Sequence, residues 1–127
     1  MTWNYENPIF KYQQKSLDQD LYWGGHRYFA YDLVCNTKPQ IIVELGTHKG
    51  TSFFSFCQAA KESGLDTKLY AVDTWKGDAH AGLYDESVFH SVDKIKHFLF
   101  HDLDIKLLRM SFDDALPNFS DESIDLL

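Results

Sequence analysis

Arginine and cysteine are scarce in this chain, and each shortage excludes a class of protein. The sequence has two arginines, Arg27 and Arg109, and a formal net charge of −7 at pH 7. It therefore lacks the clustered positive charge of a nucleic-acid-binding face. Two cysteines make no disulfide framework, so we interpret Cys35 and Cys57 as small core residues of a reduced, cytoplasmic protein.

Long apolar runs are also absent. No stretch approaches the roughly 18 consecutive apolar residues of a membrane-spanning helix. The first residues, MTWNYENP, lack the basic-then-apolar pattern of a signal peptide. The sequence therefore predicts no membrane partner.

The aromatic and aliphatic content is sufficient for a packed core. Hydrophobic residues make up 44% and aromatic residues 16% of the 127 residues, a length that suits one domain. We divide the chain into an aromatic-rich helical covering segment, 1–39, and an α/β unit, 40–127. Segment 1–39 could also form a contact between subunits of a homo-oligomer, an alternative that the sequence leaves open.

Strand and helix patterns alternate along the α/β unit, which predicts a parallel sheet with right-handed crossovers. Ile41–Leu45 is apolar on both faces, as is typical of a buried parallel strand. Apolar residues recur every three or four positions from Glu86 to Phe100, the spacing of an amphipathic helix. The other predicted elements are helices at 26–35 and 51–63, strands at 69–73 and 105–110, a loop at 74–85, a short helix at most at 111–116, and the start of a fourth strand at 124–127.

The most informative segment is the turn that follows the first predicted strand. Glu44 stands just inside this strand, and Gly46 and Gly50 follow in the pattern E-x-G-x-x-x-G, which is neither the dinucleotide nor the P-loop pattern. Ligands of open α/β sheets bind at such strand ends, where glycines allow a tight turn and helix N–H groups converge. A second acid, Asp73, ends the next strand and is suited to accept hydrogen bonds from both hydroxyls of a ribose.

In this order, the motifs resemble those of the class I S-adenosylmethionine-dependent methyltransferases over residues 40–127. The segment ELGTHKG at 44–50 resembles the first motif of the family, and Val72-Asp73 resembles the second, which binds the ribose. Residues 109–113 fall where the family contacts the adenine. More narrowly, VDTWKGDAHAGLY at 72–84 resembles a bacterial subgroup that is often described beside glycosyltransferases.

The resemblance implies a Rossmann-like parallel sheet, truncated at the start of the fourth strand, and S-adenosylmethionine as the cofactor. An acidic cleft would favour the cationic sulfonium group of that cofactor, and Trp75 or Phe112 would pack on the adenine. For Trp75, packing in the core is an equal alternative. The cofactor-binding residues that we infer are Glu44, Gly46, Thr47, Gly50, Thr51, Asp73, Thr74, Trp75, Ser111 and Phe112.

Histidines offer one candidate catalytic residue and a weak metal pattern. His80 lies in the loop at 74–85, where it would act as a base or hold an acceptor, unless it is a plain surface histidine. His97 and His101 are four residues apart on a helix, but no third ligand has a fixed spacing, so we predict no metal site. A divalent metal stays open, because the carboxylates that hold one in this family would follow the fourth strand.

We predict an S-adenosylmethionine-dependent methyltransferase that methylates an oxygen of a small-molecule or sugar-containing acceptor. Two alternatives stay open: a nicotinamide-dependent oxidoreductase with a divergent glycine loop, and a non-catalytic methyltransferase-like binding module. The sequence ends in Ile124-Asp125-Leu126-Leu127, where a strand would leave an edge unpaired. We therefore expect this chain to be a fragment of a longer protein. Most acceptor contacts would lie in the rest of that protein, and the fragment alone would show little turnover.

Overall fold

The computed structural model describes residues 2–10, 26–78, 82–83, 85–120 and 123–126. The helices and the three longer strands predicted from the sequence end within two residues of the observed ones, the usual scatter of such boundaries. In chain order, the elements are α1 (Arg27–Thr37), β1 (Ile41–Leu45), α2 (Thr51–Glu62), β2 (Lys68–Asp73), β3 (Gly77–Asp78), β4 (Gly82–Leu83), α3 (Glu86–Leu99), β5 (Asp104–Arg109) and α4 (Phe112–Ala115), followed by a 3₁₀ turn at Leu116–Asn118.

The central sheet is parallel, with the strand order β1-β2-β5. On the free side of β1, Leu126 forms a parallel bridge with Ile42, and the Val43 amide donates to the Leu126 carbonyl at 2.9 Å. The segment that we predicted to begin a fourth strand thus lies beside β1. Together with the helices between successive strands, this arrangement confirms the predicted Rossmann-like α/β fold.

Asp125 attaches this last segment to the start of β1. One carboxylate oxygen, Oδ2, accepts hydrogen bonds from the backbone amides of Gln40 and Ile41, each at 3.0 Å. A carboxylate that accepts two backbone N–H groups satisfies donors that would otherwise be left at the end of a strand.

The prediction of a loop over residues 74–85 is incomplete. Gly77–Asp78 and Gly82–Leu83 pair as a short antiparallel ribbon, with Gly77 opposite Leu83. Two-residue strands are too short to show the alternation of apolar and polar residues from which a strand is recognised, so the sequence does not reveal them.

Helices α1, α2 and α3 cover one face of the sheet. Phe53, Phe54 and Cys57 of α2 are fully buried there against Ile42 and Leu69 of the strands. The buried position of Cys57 agrees with its interpretation as a core residue, and burial raises the pKa of its thiol well above the usual range. A smaller cluster on the opposite face includes Val43, Val72 and Ala115.

Residues 2–10 attach to this helix layer. Asn4 and Asn36 exchange two hydrogen bonds of 2.9 Å, and the Gln58 side chain donates to the Ile9 carbonyl at 2.8 Å. The Trp3 ring stacks on Phe29 of α1 at a centroid distance of 6.1 Å. Within the described ranges, none of the helices has both the length and the apolar character needed to cross a membrane.

Candidate functional site

A cleft of about 410 Å³ opens at the carboxyl ends of β1, β2 and β5. This edge is where open α/β sheets bind ligands, because the loops that follow the strands diverge there. The cleft is lined by Gly46, His48, Asp73, Thr74, Gly77, Met110, Ser111 and Phe112.

The turn between β1 and α2, residues 46–50, is shaped by its two glycines. Gly46 has a φ of 82° and Gly50 a φ of 86°, in the left-handed region that glycine adopts without steric strain. A Cβ on Gly50 would also lie 2.5 Å from Cε2 of Phe54. Gly50 is the N-cap of α2, so the first N–H groups of this helix, which start at Thr51, lie directly after the turn.

Glu44 lies behind the turn rather than among the described residues that line the cleft. The Ser52 hydroxyl of α2 donates to Oε2 of Glu44, while Oε1 is buried and makes no well-formed hydrogen bond with any described residue. Burial raises the pKa of Glu44 to about 7, the hydroxyls of Ser52 and Thr47 oppose this shift, and the charge of Asp73 adds to it. A cation placed nearby would favour the ionised form of Glu44 and be stabilised by it.

Asp73 lies in the cleft at the end of β2. Its Oδ2 accepts a hydrogen bond from the His48 amide, and its Oδ1 accepts one from the Trp75 amide, each at 2.9 Å. Because a carboxylate has about four lone-pair positions, each oxygen retains capacity to accept from a hydroxyl of a ligand. The carboxylate can therefore hold the turn and a polyol at once.

The loop after β5 contributes the opposite wall of the cleft. Phe112 is 50% exposed, and its Cζ would lie 4.0 Å from a Cβ on Gly46. Ser111 caps α4 by accepting a hydrogen bond from the Asp114 amide at 3.1 Å.

The structure separates the predicted site residues into three groups. Gly46, Asp73, Thr74, Ser111 and Phe112 line the cleft. A second group, Glu44, Thr47, Gly50 and Thr51, lies around or behind the turn. Trp75 forms the third group, and His80 lies outside the described residues.

Of the two interpretations that the sequence allowed for Trp75, packing in the core is the one that the structure shows. The side chain is 1% exposed and its ring packs edge-on against Phe89 at a centroid distance of 5.1 Å. It therefore has no face free for an adenine in this conformation.

Three residues that line the cleft, His48, Gly77 and Met110, were not among the cofactor-binding residues that we inferred individually, although Met110 lies in the segment 109–113 that the resemblance places at the adenine. Each follows a strand of the central sheet at its carboxyl end. The general rule that ligands bind at this edge would have identified them, had it been applied to every residue that follows a strand.

The described residues contain no cluster of three or more histidine, cysteine, aspartate or glutamate side chains that is placed to hold a metal ion. His97, one half of the histidine pair noted in the sequence, instead lies 3.5 Å from the carboxylate of Asp93, one turn earlier on α3.

Known proteins share both the sequence and the fold of this chain. An uncharacterized protein, y4gI, of Sinorhizobium fredii is 46% identical over 105 residues, which cover 83% of this chain and 11% of that protein. The chain thus spans about a ninth of the length of this relative. The crystal structure of the S-adenosylhomocysteine-bound methyltransferase PaMTH1 of Podospora anserina superimposes with a TM-score of 0.58 and 11% identity, over 87% of this chain and 47% of that one.

The sequence profile of a methyltransferase domain family matches residues 43–127, which contain the turn, Asp73 and the loop after β5. The match covers more than half of the chain and begins just before Glu44. The resemblance to the class I S-adenosylmethionine-dependent methyltransferases is thereby confirmed, and the chain belongs to the methyltransferase domain family.

Proposed function

We propose that this chain binds S-adenosylmethionine in the cleft at the carboxyl ends of its strands and belongs to an enzyme that methylates an oxygen of a small-molecule or sugar-containing acceptor. The observation that carries this proposal is the grouping of Gly46, Asp73 and Phe112 around one cleft, with Glu44 behind the turn. A glycine turn, an acid placed to accept from ribose hydroxyls and an apolar ring suit a charged nucleoside ligand.

The residues present fit this cofactor. Asp73 would hold the ribose hydroxyls, and Phe112 and Met110 would provide apolar area for the adenine. The N-terminus of α2 favours a carboxylate group. Glu44, whose buried Oε1 makes no well-formed hydrogen bond with a described residue, favours the cationic end of the ligand. A cleft of about 410 Å³ is within the range of small-ligand sites. The S-adenosylhomocysteine in the Podospora anserina methyltransferase supports the same ligand class.

The bound cofactor supplies an electrophilic methyl group on a sulfonium. The residues of this chain hold and orient that cofactor, because methyl transfer depends chiefly on alignment of the acceptor with the methyl group. A hydroxyl acceptor also requires a base. We propose His80 for that role from its position between β2 and α3 in the sequence.

The acceptor class is supported by the resemblance of residues 72–84 to the bacterial subgroup described above. We propose a small-molecule partner on the basis of the same resemblance. We propose a cytoplasmic location because the sequence has only two cysteines and no disulfide framework. The activity of any longer protein that contains this chain is part of the proposal, since the chain spans 11% of its Sinorhizobium fredii relative.

Isothermal titration calorimetry with S-adenosylhomocysteine, S-adenosylmethionine and NAD tests the cofactor assignment. We expect one site for each of the first two ligands, competition between them, and no heat with NAD. Absence of heat and of any thermal shift with both sulfur-containing ligands would overturn the proposal.

Transfer of a labelled methyl group to a panel of hydroxyl-bearing sugars and small phenols tests the enzymatic part. We expect label in at least one acceptor, lost when Asp73 is replaced by Asn. Tight cofactor binding without transfer to any acceptor would favour the binding-module alternative.

A further inference from the structure

We propose that Trp75 is a positioning residue: its buried indole N–H holds the backbone of His48 and thereby fixes the turn at residues 46–50 in the conformation that receives the ligand. The effect on cofactor affinity rests on the proposed function. The effect on the turn itself does not, because it concerns the ligand-free chain.

The conformation of His48 requires an external restraint. Its φ of 53° lies in the left-handed region, which costs a non-glycine residue about 1 kcal/mol or more. Both of its backbone polar atoms are bound by residues that end or follow β2. The His48 amide donates to Oδ2 of Asp73 at 2.9 Å, and its carbonyl accepts from Nε1 of Trp75 at 2.7 Å.

Trp75 is itself held rigidly. Its own φ is 54°, its amide donates to Oδ1 of Asp73 at 2.9 Å, and its side chain is 1% exposed. The ring packs edge-on against Phe89 of α3 at 5.1 Å. The guanidinium of Arg109 lies over the Phe89 ring, 4.3 Å from its centroid, and also forms an ion pair with Glu86.

The hydrogen bond of the indole distinguishes this role from simple core packing. A buried tryptophan usually finds a partner for its N–H, but a partner elsewhere in the core would satisfy it equally well. Here the N–H binds the backbone of a residue that lines the cleft. Loss of the indole N–H would leave the carbonyl of the half-buried His48 without this donor and would loosen the turn. If the turn is already ordered in the folded chain, the entropic cost of ordering it does not reduce the affinity for the ligand.

The variant Trp75→Phe tests this role, because it keeps an aromatic ring and removes the N–H. The matched control is Tyr31→Phe, which removes the hydrogen bond of 2.5 Å from the Tyr31 hydroxyl to Glu62 between α1 and α2. Amide hydrogen exchange of residues 46–51 in the ligand-free chain is the first measurement. Titration with S-adenosylhomocysteine is the second.

For Trp75→Phe we expect about tenfold faster exchange at residues 46–51, unchanged exchange in the centre of α2, and about tenfold weaker binding of S-adenosylhomocysteine, equivalent to roughly 1.4 kcal/mol. Tyr31→Phe should change neither property of the turn. Unchanged exchange at the turn in Trp75→Phe overturns the inference. A third outcome separates the two proposals: Trp75→Phe exchanges faster at the turn, but the wild type binds no S-adenosylhomocysteine. That result supports the positioning role and overturns the proposed function.

Phe89→Leu provides a second variant if Trp75→Phe does not fold, as judged by circular dichroism. It keeps an apolar side chain but removes the ring against which the indole packs. We expect a smaller acceleration of exchange, again confined to residues 46–51. Exchange equal to that of the wild type at these residues would contradict the inference.

Discussion

Ser52 of α2 and Glu44 of β1 are joined by a hydrogen bond, in which the Ser52 hydroxyl donates to Oε2 of the carboxyl group. This contact holds the one acidic side chain of β1 against the first turn of α2, next to the turn that lines the cleft. The other oxygen of Glu44 is buried without a well-formed bond to any described residue, so the carboxyl group is only partly compensated. Its ionisation should therefore be sensitive to pH and to a bound cation.

The stability of the ligand-free chain should fall as the pH rises through the titration range of Glu44. Its pKa is about 7 in the folded chain against an ordinary value of 4.5, so the folded state binds more protons than the unfolded state between these values. The protonated Glu44 carboxyl group therefore adds to the free energy of unfolding. This contribution is fully present below the ordinary pKa of 4.5 and is lost as the pH rises to about 7. Because Glu44 is partly accessible to solvent, we expect a loss on the order of 1–2 kcal/mol rather than the full effect of the shift.

Urea unfolding of the wild type and Glu44→Gln at about pH 5 and about pH 8 measures this loss. The glutamine side chain keeps an oxygen that can accept the hydrogen bond from the Ser52 hydroxyl, but it has no group that titrates. A wild type whose stability changes with pH no more than that of Glu44→Gln would contradict the elevated pKa.

Gly50→Ala should destabilise the chain by about 3 kcal/mol, because it combines a left-handed backbone with a steric clash. The new Cβ would lie 2.5 Å from Cε2 of Phe54, at a φ of 86°. Gly64→Ala is the matched control, since Gly64 has a φ of 66° and no atom of the described residues lies within 4 Å of a Cβ there. It should cost about 1 kcal/mol. Thermal unfolding of the two variants gives the comparison; equal losses would show that the contact with Phe54 relaxes freely.

Phe112→Ala should weaken binding of S-adenosylhomocysteine about tenfold and change stability by less than about 0.5 kcal/mol, because the half-exposed ring contributes more to the cleft than to the core. Phe98→Ala removes a ring that is 71% exposed on α3 and does not line the cleft. Calorimetric titration of both variants should show the loss for Phe112→Ala alone. Equal affinities of the two variants would remove Phe112 from the site.

Asp73→Asn should lower both stability and cofactor affinity. The carboxylate accepts one backbone N–H on each oxygen, but an asparagine has a single acceptor oxygen, so one of the two donors would face its NH₂ group. We expect a loss of about 1–2 kcal/mol in unfolding free energy and at least about tenfold in affinity for S-adenosylhomocysteine.

The control for this replacement is Asp104→Asn at the exposed start of β5, which should be close to neutral in both measurements. An Asp73→Asn variant that retains wild-type affinity would exclude a ribose-binding role for Asp73.

The local pattern of the sequence predicted the elements and the general location of the site. An apolar run at Ile41–Leu45, the glycines at positions 46 and 50, and the acid at position 73 are features of neighbouring residues, and the geometry of a parallel sheet brings all of them to one edge. The profile match over residues 43–127 confirms the family that these features resemble. The roles assigned to individual site residues stay predictions.

The sequence by itself determined the strand–helix order, the glycine turn and the acids that flank it, because backbone conformation and hydrophobic periodicity depend on residues that are close along the chain. Only the tertiary structure decided that the Trp75 ring enters the core rather than the cleft, and that its N–H reaches the His48 carbonyl. That choice depends on α3, which brings Phe89 against the indole, and on the crossover that sets β2 beside β1. Contacts between residues distant in the chain form only when these elements pack, so no local pattern encodes them.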